Sequence, residues 1–316
     1  MLDTIIYNIK KNPYRLFLAK FIIFLSIVFI IDFTIGSLLN YFYFKQKSGY
    51  EYRTTYSLEK TQADVLIFGS SRANHHYRPD IFEDRLNMTY YNVGRDGNFI
   101  FYHYAMLKGI LERYAPKIIV LDLVKEEFRK NSNSYDRIAT LLPYYDSHPE
   151  IRSIIELKSH YEKYKLFSKI YPFNSLILKI SIANTDFNKK RSPDIKGYIP
   201  KTRTWDQPIT YDTTDVRYEL DNKKIEMYED FIKDCNKAGI KLYVFVSPYF
   251  IKLNHTDYSI AIGGEIAKKY NIKFYDYSND SLFTSNRSLF DDMVHLNHGG
   301  AKVFTDLVVD RILNGN

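Results

Sequence analysis

The chain has 316 residues, a formal net charge of +7 and one cysteine, with 45% hydrophobic and 16% aromatic residues, which suits a globular domain with segments to spare and excludes a largely disordered chain. The lone Cys235 excludes an internal disulfide framework, and no Cys/His group has the spacing of a zinc site. Residues 1–60 hold eight Lys/Arg against four Asp/Glu and residues 61–316 hold 36 against 33, so the basic balance belongs to the amino terminus rather than to a nucleic-acid-binding face.

The first predicted element is a membrane anchor. Every residue from Phe21 to Ile31 except Ser26 is strongly apolar, and Asp32 is the one formal charge between Phe21 and Phe44. At about 1.5 Å per residue, such a helix can cross a hydrocarbon core of about 30 Å. Lys10, Lys11, Arg15 and Lys20 precede it while Lys45, Lys47 and Arg53 follow. That modest bias sets the amino terminus inside and the chain beyond the anchor outside the cytoplasm. Asp32 opposes this reading, since a carboxylate near the centre of a spanning helix costs about 2.5–3.5 kcal/mol on insertion scales. The flanking apolar residues outweigh it. A cleavable signal peptide is the nearest alternative, but Gly36-Ser37-Leu38 is a poor cleavage site. Residues 1–48 are thus expected to form a cytoplasmic tail and anchor, and residues 49–316 an α/β domain.

Strands and helices then alternate. Asp64–Gly69 predicts a strand, followed by a serine-containing loop and a helix from Pro79 to Leu86. Thr89–Val93 predicts a second strand closed by Gly94 and Gly97, Phe99–Tyr114 a helix ended by Pro116, and Lys117–Val124 a strand apolar enough to be buried on both faces. After a long interval come a helix over Glu219–Ala238, a strand over Ile240–Val246, a helix over Ile260–Tyr270, a strand over Ile272–Tyr275 and a closing helix over Gly299–Leu313. The alternation predicts a doubly wound α/β sandwich with a five-stranded parallel sheet and its site at the carboxyl ends of the strands.

Residues 126–218 interrupt this rhythm. Helical runs near Ile151–Phe167 and Ser175–Ile182 precede a polar segment with Pro193, Pro200 and Pro208. The stretch is expected to be an insertion over the carboxyl edge of the sheet, as a lid or partner surface.

Chemistry is concentrated at the two ends of the domain. Gly69-Ser70-Ser71-Arg72 follows the first strand, where a serine at a strand-to-helix turn exposes its hydroxyl at the sheet edge. Asp292 and His295 precede the last helix, and three residues of separation let the carboxylate orient one imidazole nitrogen while the other faces Ser71. Asn92-Val93-Gly94-Arg95-Asp96-Gly97 follows the second strand at the same edge. Ser70 is the alternative exposed hydroxyl, or a partner for the loop backbone. Asp122 reads equally as a structural acceptor or as a strand-end site residue. His75 and His76 are expected at the surface rather than on a metal, and Glu126 and Glu127 on a solvated face rather than as a glycosidase pair. No cofactor or nucleic-acid motif is evident.

These segments resemble the SGNH, or GDSL-like, hydrolase superfamily over roughly residues 62–125 and 219–313, with the insertion unmatched. The resemblance implies a three-layer, flavodoxin-like α/β/α sandwich, Ser71 as nucleophile, His295 and Asp292 as base and orienting carboxylate, and the Ser71 and Gly97 amides as the oxyanion hole. Gly69-Ser70-Ser71 looks like the form found in a membrane-anchored branch that includes polysaccharide acyl esterases or transferases and the D-alanine transfer protein of teichoic-acid modification. The implied function is a membrane-anchored esterase or O-acyltransferase acting outside the cytoplasm on acyl groups of a surface or exported polysaccharide, with membrane proteins of that assembly pathway as partners. The chain departs from the family after the third strand. The family's Gly-x-Asn-Asp supplies an oxyanion-donating asparagine, whereas this chain has Val124-Lys125-Glu126-Glu127, and a carboxylate cannot donate. Arg72 and Asn74 are candidates to replace that donor, with Arg95 and Glu126 as further substrate contacts. The alternative function is an inactive SGNH-fold component that binds a glycan or partner.

Overall fold

The computed structural model describes residues 12–185, 187, 194–208, 217–253 and 256–315; Lys10, Lys11 and Pro193 lie outside the described residues. Helix α1 (Pro13–Phe44) begins where the Asn12 side chain accepts from the Tyr14 and Arg15 amides and Pro13 sets the first helical φ. It exposes apolar side chains over most of its length and is long and apolar enough to cross a membrane. A short turn leads into α2 (Gly49–Glu59), a helix that the sequence reading did not anticipate.

Strands β1 (Val65–Gly69), β2 (Tyr90–Asn92), β3 (Ile118–Asp122), β4 (Lys241–Val246) and β5 (Lys273–Asp276) form a wholly parallel sheet in the order β2-β1-β3-β4-β5. The register aligns Val65 with Tyr90 and Ile118, and Gly69 with Asp122. Alternation along the strands assigns the faces. Leu66, Phe68, Ile119, Leu121, Val244 and Val246 enter one core, covered by α5 (Ile100–Leu111), α6 (Asn222–Lys237) and α7 (Tyr258–Lys269). Val65, Ile67, Ile118, Val120, Tyr243 and Phe245 enter the other, covered by α3 (Ser71–His76), α4 (Pro79–Leu86) and α8 (His298–Asn314). The chain is therefore a three-layer α/β/α sandwich. The strand order reverses between β1 and β3, the position at whose carboxyl edge open α/β sheets place their binding sites.

The insertion differs from a simple lid. The helix expected over Ile151–Phe167 is broken into a 3-10 turn Pro149–Ile151, a helical turn Arg152–Ile155, a second 3-10 turn Glu156–Lys158 and a helical turn Glu162–Lys165. The break follows from burial of a charge. Glu162 is fully buried and gathers Lys158, Lys165 and the Tyr171 hydroxyl, so the chain turns at Ser159 to reach it. The helix expected over Ser175–Ile182 is present as Ile177–Ala183. The first half of the insertion packs on α5 and on α1, and its second half, residues 194–208, forms a strap. Along that strap the Lys196 carbonyl accepts from the Asn92 amide, the Ile199 amide donates to the Asn74 carbonyl, and the Trp205 amide donates to the Phe290 carbonyl.

Candidate active site

β1 ends at Gly69 with φ 143°, where an added Cβ would stand 2.8 Å from the Ala73 Cβ and 2.9 Å from the Asp122 carbonyl; only glycine lets the chain turn sharply into α3. Ser71 is the first helical residue, so its N–H has no partner within the helix. His295 Nε2 lies 2.7 Å from Ser71 Oγ. The other ring nitrogen, Nδ1, is 3.0 and 2.9 Å from the two oxygens of Asp292. A carboxylate only accepts, so Nδ1 carries the proton and Nε2 presents its lone pair to the serine. Burial works to raise the Asp292 pKa, but the His295 ring and the Val294 and His295 amides outweigh it and hold the carboxyl well below its usual range. It remains ionised beside the imidazole at neutral pH.

The loop carrying His295 is fixed from below by a second histidine. His76 Nε2 accepts from the Leu296 amide at 3.0 Å, and the His76 carbonyl accepts from the Thr305 hydroxyl of α8. Burial, and then the nearby Arg72 charge, push the His76 pKa well below the ordinary value, which keeps this acceptor neutral. His75 is buried as well; its Nδ1 meets the Ile199 carbonyl at 2.7 Å and its Nε2 lies 3.7 Å from Asp96. The surface placement expected for both histidines is therefore corrected. α3 faces α8 on one side and the strap on the other, so one ring nitrogen of each histidine finds a backbone partner in a segment distant in sequence, while His76 Nδ1 is buried without a partner among the described residues. No His/Cys/Asp/Glu group able to hold a metal occurs among the described residues.

Ser70 and Gly97 come together rather than apart. The Gly97 amide donates to Ser70 Oγ at 3.1 Å, while Gly97 itself needs its φ of 68°. Ser70 thus bonds the loop backbone, and Ser71 is the hydroxyl that meets His295. The Gly97 N–H reaches a substrate oxygen only by sharing or releasing that bond. Asn92 ties this loop to α3, donating to the Ala73 carbonyl and accepting from the Gly94 amide.

The further contact candidates take other roles. Arg72 is buried, its guanidinium donating to the Ser247 carbonyl and lying 3.9 Å over the Tyr249 ring. Asn74 is also buried; it donates to Asp96 at 2.6 Å and accepts from Arg53 at 2.8 Å. Arg95 turns back to α2, bonding Thr54 at 2.6 Å and Glu51 at 3.1 Å. Glu126 has φ 59° and pairs with Arg129 at 2.8 Å, and its amide donates to Asp257. Asn74, Arg95 and Glu126 are engaged with these partners, whereas Arg72 donates through one guanidinium nitrogen and keeps Nε and Nη1 buried without a hydrogen-bond partner among the described residues. Glu127 is buried, not solvated, and its carboxyl accepts from the Ile100 amide at 2.6 Å. Asp122 is a structural acceptor, taking the hydroxyls of Tyr77 and Ser247 at the ends of the central strands.

Two features lay outside the sequence reading. Tyr50 and Arg53 of α2 hold Asp96 and Asn74 respectively, so this polar helix forms the rear wall of the loop that ends in Gly97. Arg137, an exposed residue of the insertion, brings its guanidinium to 3.3 Å from where a Gly97 Cβ would stand, and it has no ion-pair partner among the described residues. Neither carries a local motif. A cleft of about 640 Å³ lies elsewhere, between α1, α2 and the insertion, lined by Gly36, Thr55, Glu59, Leu142, Lys169 and Phe173 among others.

No family profile matches the chain, and no curated protein does. Among solved structures, the chain is similar to a candidate acylhydrolase of Bacteroides fragilis, at 13% identity with a TM-score of 0.42, covering 85% of this chain and 99% of that one. It is also similar to an acetyl xylan esterase, at 16% identity with a TM-score of 0.39, covering 79% of this chain and 98% of that one.

Proposed function

We propose that this chain is an SGNH-type serine esterase or O-acyltransferase, anchored in a membrane by α1 with its α/β domain outside the cytoplasm. The observation that carries the reading is the hydrogen-bonded series Ser71 Oγ, His295 Nε2, His295 Nδ1 and Asp292, at the carboxyl edge of the sheet beside the β1–β3 reversal. In the reaction, His295 Nε2 takes the Ser71 proton as Oγ attacks an ester carbonyl, and ionised Asp292 stabilises the imidazolium. The tetrahedral oxyanion is met by the Ser71 amide and by Gly97 once Ser70 yields it, with the Arg137 guanidinium supplying the cationic donor that the missing asparagine does not. Collapse expels the alcohol, which takes the proton from His295. Water or a sugar hydroxyl, deprotonated by the same nitrogen, then attacks the acyl carbonyl, and Ser71 Oγ leaves with that proton returned from His295. An acylated surface or exported polysaccharide as substrate is supported by the Gly-Ser-Ser form and by the anchor.

Two measurements on the full-length protein test this. A fluorophosphonate probe should label wild type stoichiometrically and leave Ser71→Ala and His295→Ala unlabelled, and nitrophenyl acetate hydrolysis should fall by about 10³-fold or more in Ser71→Ala. Equal hydrolysis by wild type and Ser71→Ala, with neither labelled, would leave the inert glycan- or partner-binding reading.

A further inference from the structure

α1 is longer than a membrane requires, and its two parts are treated differently by the rest of the chain. Thirty-two residues make a rod of about 48 Å, against a hydrocarbon core of about 30 Å. The charge-free apolar run begins at Phe21, after Lys20, and apolar side chains stay exposed along the helix as far as Phe42. From Asp32 on, the insertion packs against one side of it. Asp32 accepts from the Ser168 hydroxyl and from the backbone amides of Lys169, at 2.7 Å, and Ile170, at 3.4 Å. Gly36, one turn further, lies directly against the Lys169 backbone, where any Cβ would collide. Tyr43 packs against Phe173 at 5.5 Å between ring centroids, and the Asn184 side chain donates to the Phe42 carbonyl. Asp32 thus marks where the insertion begins to cover one side of the helix, while Ile35, Leu38 and Tyr41 stay exposed on the rest of it.

Between the levels of Asp32 and Phe42 the insertion presents apolar side chains outward, with nothing covering them among the described residues. Phe167 is 79% exposed and Leu178 73%, joined by Tyr161, Tyr164 and Ile177. Phe167 directly precedes the residues that bond Asp32, and Leu178 stands on the helix Ile177–Ala183 that packs along α1. The patch is therefore continuous with the exposed apolar surface of the spanning helix. Lys163 is exposed among these residues, a long basic chain that can carry its charge to lipid headgroups while tyrosine and phenylalanine rings sit at the boundary; Lys165 and Lys179 pair with Glu162 and Glu51.

We infer that the tip formed by Tyr161, Tyr164, Phe167, Ile177 and Leu178 is embedded in the outer interface of the bilayer, a second membrane contact beside α1. The occupant is lipid, not a protein partner, because the patch lies beside the exposed apolar surface of the helix that spans the hydrocarbon. The inference rests on α1 spanning the membrane, as proposed above. It fixes the sandwich against the membrane surface by two contacts instead of leaving it on a flexible stalk.

The full-length chain in phosphatidylcholine/phosphatidylglycerol vesicles provides the test. Cys235 is buried, so a cysteine introduced at the surface is the thiol that an environment-sensitive maleimide dye reaches. Labels are placed by Phe167→Cys and Leu178→Cys, with Val28→Cys reporting on the anchor and Asp310→Cys on the far side of the domain. Nitroxides near the headgroups should quench the labels at 167 and 178 several-fold more than the label at 310, and aqueous iodide should reach those two labels least. Iodide quenching at 167 and 178 equal to that at 310, with Val28 still quenched by deep nitroxides, overturns the lipid contact and leaves the anchor standing. Loss of nitroxide quenching at Val28 overturns the anchor itself. Labels at 167 and 178 shielded from both quenchers, together with cross-linking between chains, assign the patch to a second copy and overturn the lipid assignment.

Discussion

His295 is held from three sides: Asp292 fixes its Nδ1, Ser71 receives its Nε2, and the following amide of Leu296 is anchored on His76. Only the first two of these were legible in the sequence, because an Asp-x-x-His step before a helix has a spacing, whereas His76 acts through a fold contact 220 positions away. The same holds for the choice between Ser70 and Ser71. Adjacent hydroxyls after a strand are equivalent on paper, and it is the Gly97 amide, brought in by β2, that occupies Ser70. Arg72, Asn74 and Arg95 read as substrate contacts because polar residues near a nucleophile usually face solvent; here each is itself buried and donates to an acceptor within the fold. Arg137 is the converse case, a residue in an unmatched segment that reaches the Gly97 loop. Arg137→Ala should slow acylation of Ser71 by roughly 10²-fold, the effect of losing one oxyanion donor. Its melting temperature should stay at the wild-type value, since the guanidinium is exposed. Unchanged rates of probe labelling would place Arg137 outside the reaction.

Among the elements, the strands were read to within one or two residues because a parallel sheet buried on both faces requires nearly continuous apolar runs. α2 escaped for the opposite reason. Its sequence, from Gly49 to Glu59, is polar, yet Glu51, Arg53, Thr54 and Ser57 are buried, satisfied by Arg95, Asn74, Tyr102 and backbone carbonyls that only the tertiary fold supplies. Asp32 is a related case. Read alone it is a costly charge in an apolar helix; in the fold it receives three donors from the insertion. Asp32→Leu should therefore leave membrane insertion intact or improved, by up to about 3 kcal/mol on insertion scales. It should at the same time release the amides of Lys169 and Ile170, seen as faster hydrogen exchange at those two residues in the detergent-solubilised chain. Unaltered exchange there would show that packing at Gly36, and not Asp32, holds the insertion.

For the molecule as a whole, stability depends on pH through a buried acid between the sandwich and the insertion. Burial raises the Glu127 pKa to about 7, against the opposing pull of the Lys224 charge and the Ile100 amide. Between its ordinary range and about 7, the folded protein holds a proton that the unfolded chain has released, so stability falls as pH rises through that window. Glu127→Gln keeps an acceptor for the Ile100 amide and removes the titration. The variant should gain on wild type from pH 5 to pH 8, by a difference on the order of 3 kcal/mol in unfolding free energy. Parallel stability curves across that range would exclude Glu127 as the source.

The Ser71–His295 bond joins residues 224 positions apart, with the base supplied just ahead of the final helix. β1, and with it Ser71, is complete early in the chain, but the serine has no base until α8 packs against α3 and α4. During synthesis the amino-terminal part emerges first, and contacts this distant in sequence form last. Under the proposed mechanism, a nascent or carboxyl-terminally truncated chain therefore carries an ordinary alcohol at position 71, and reactivity appears only with completion of the fold.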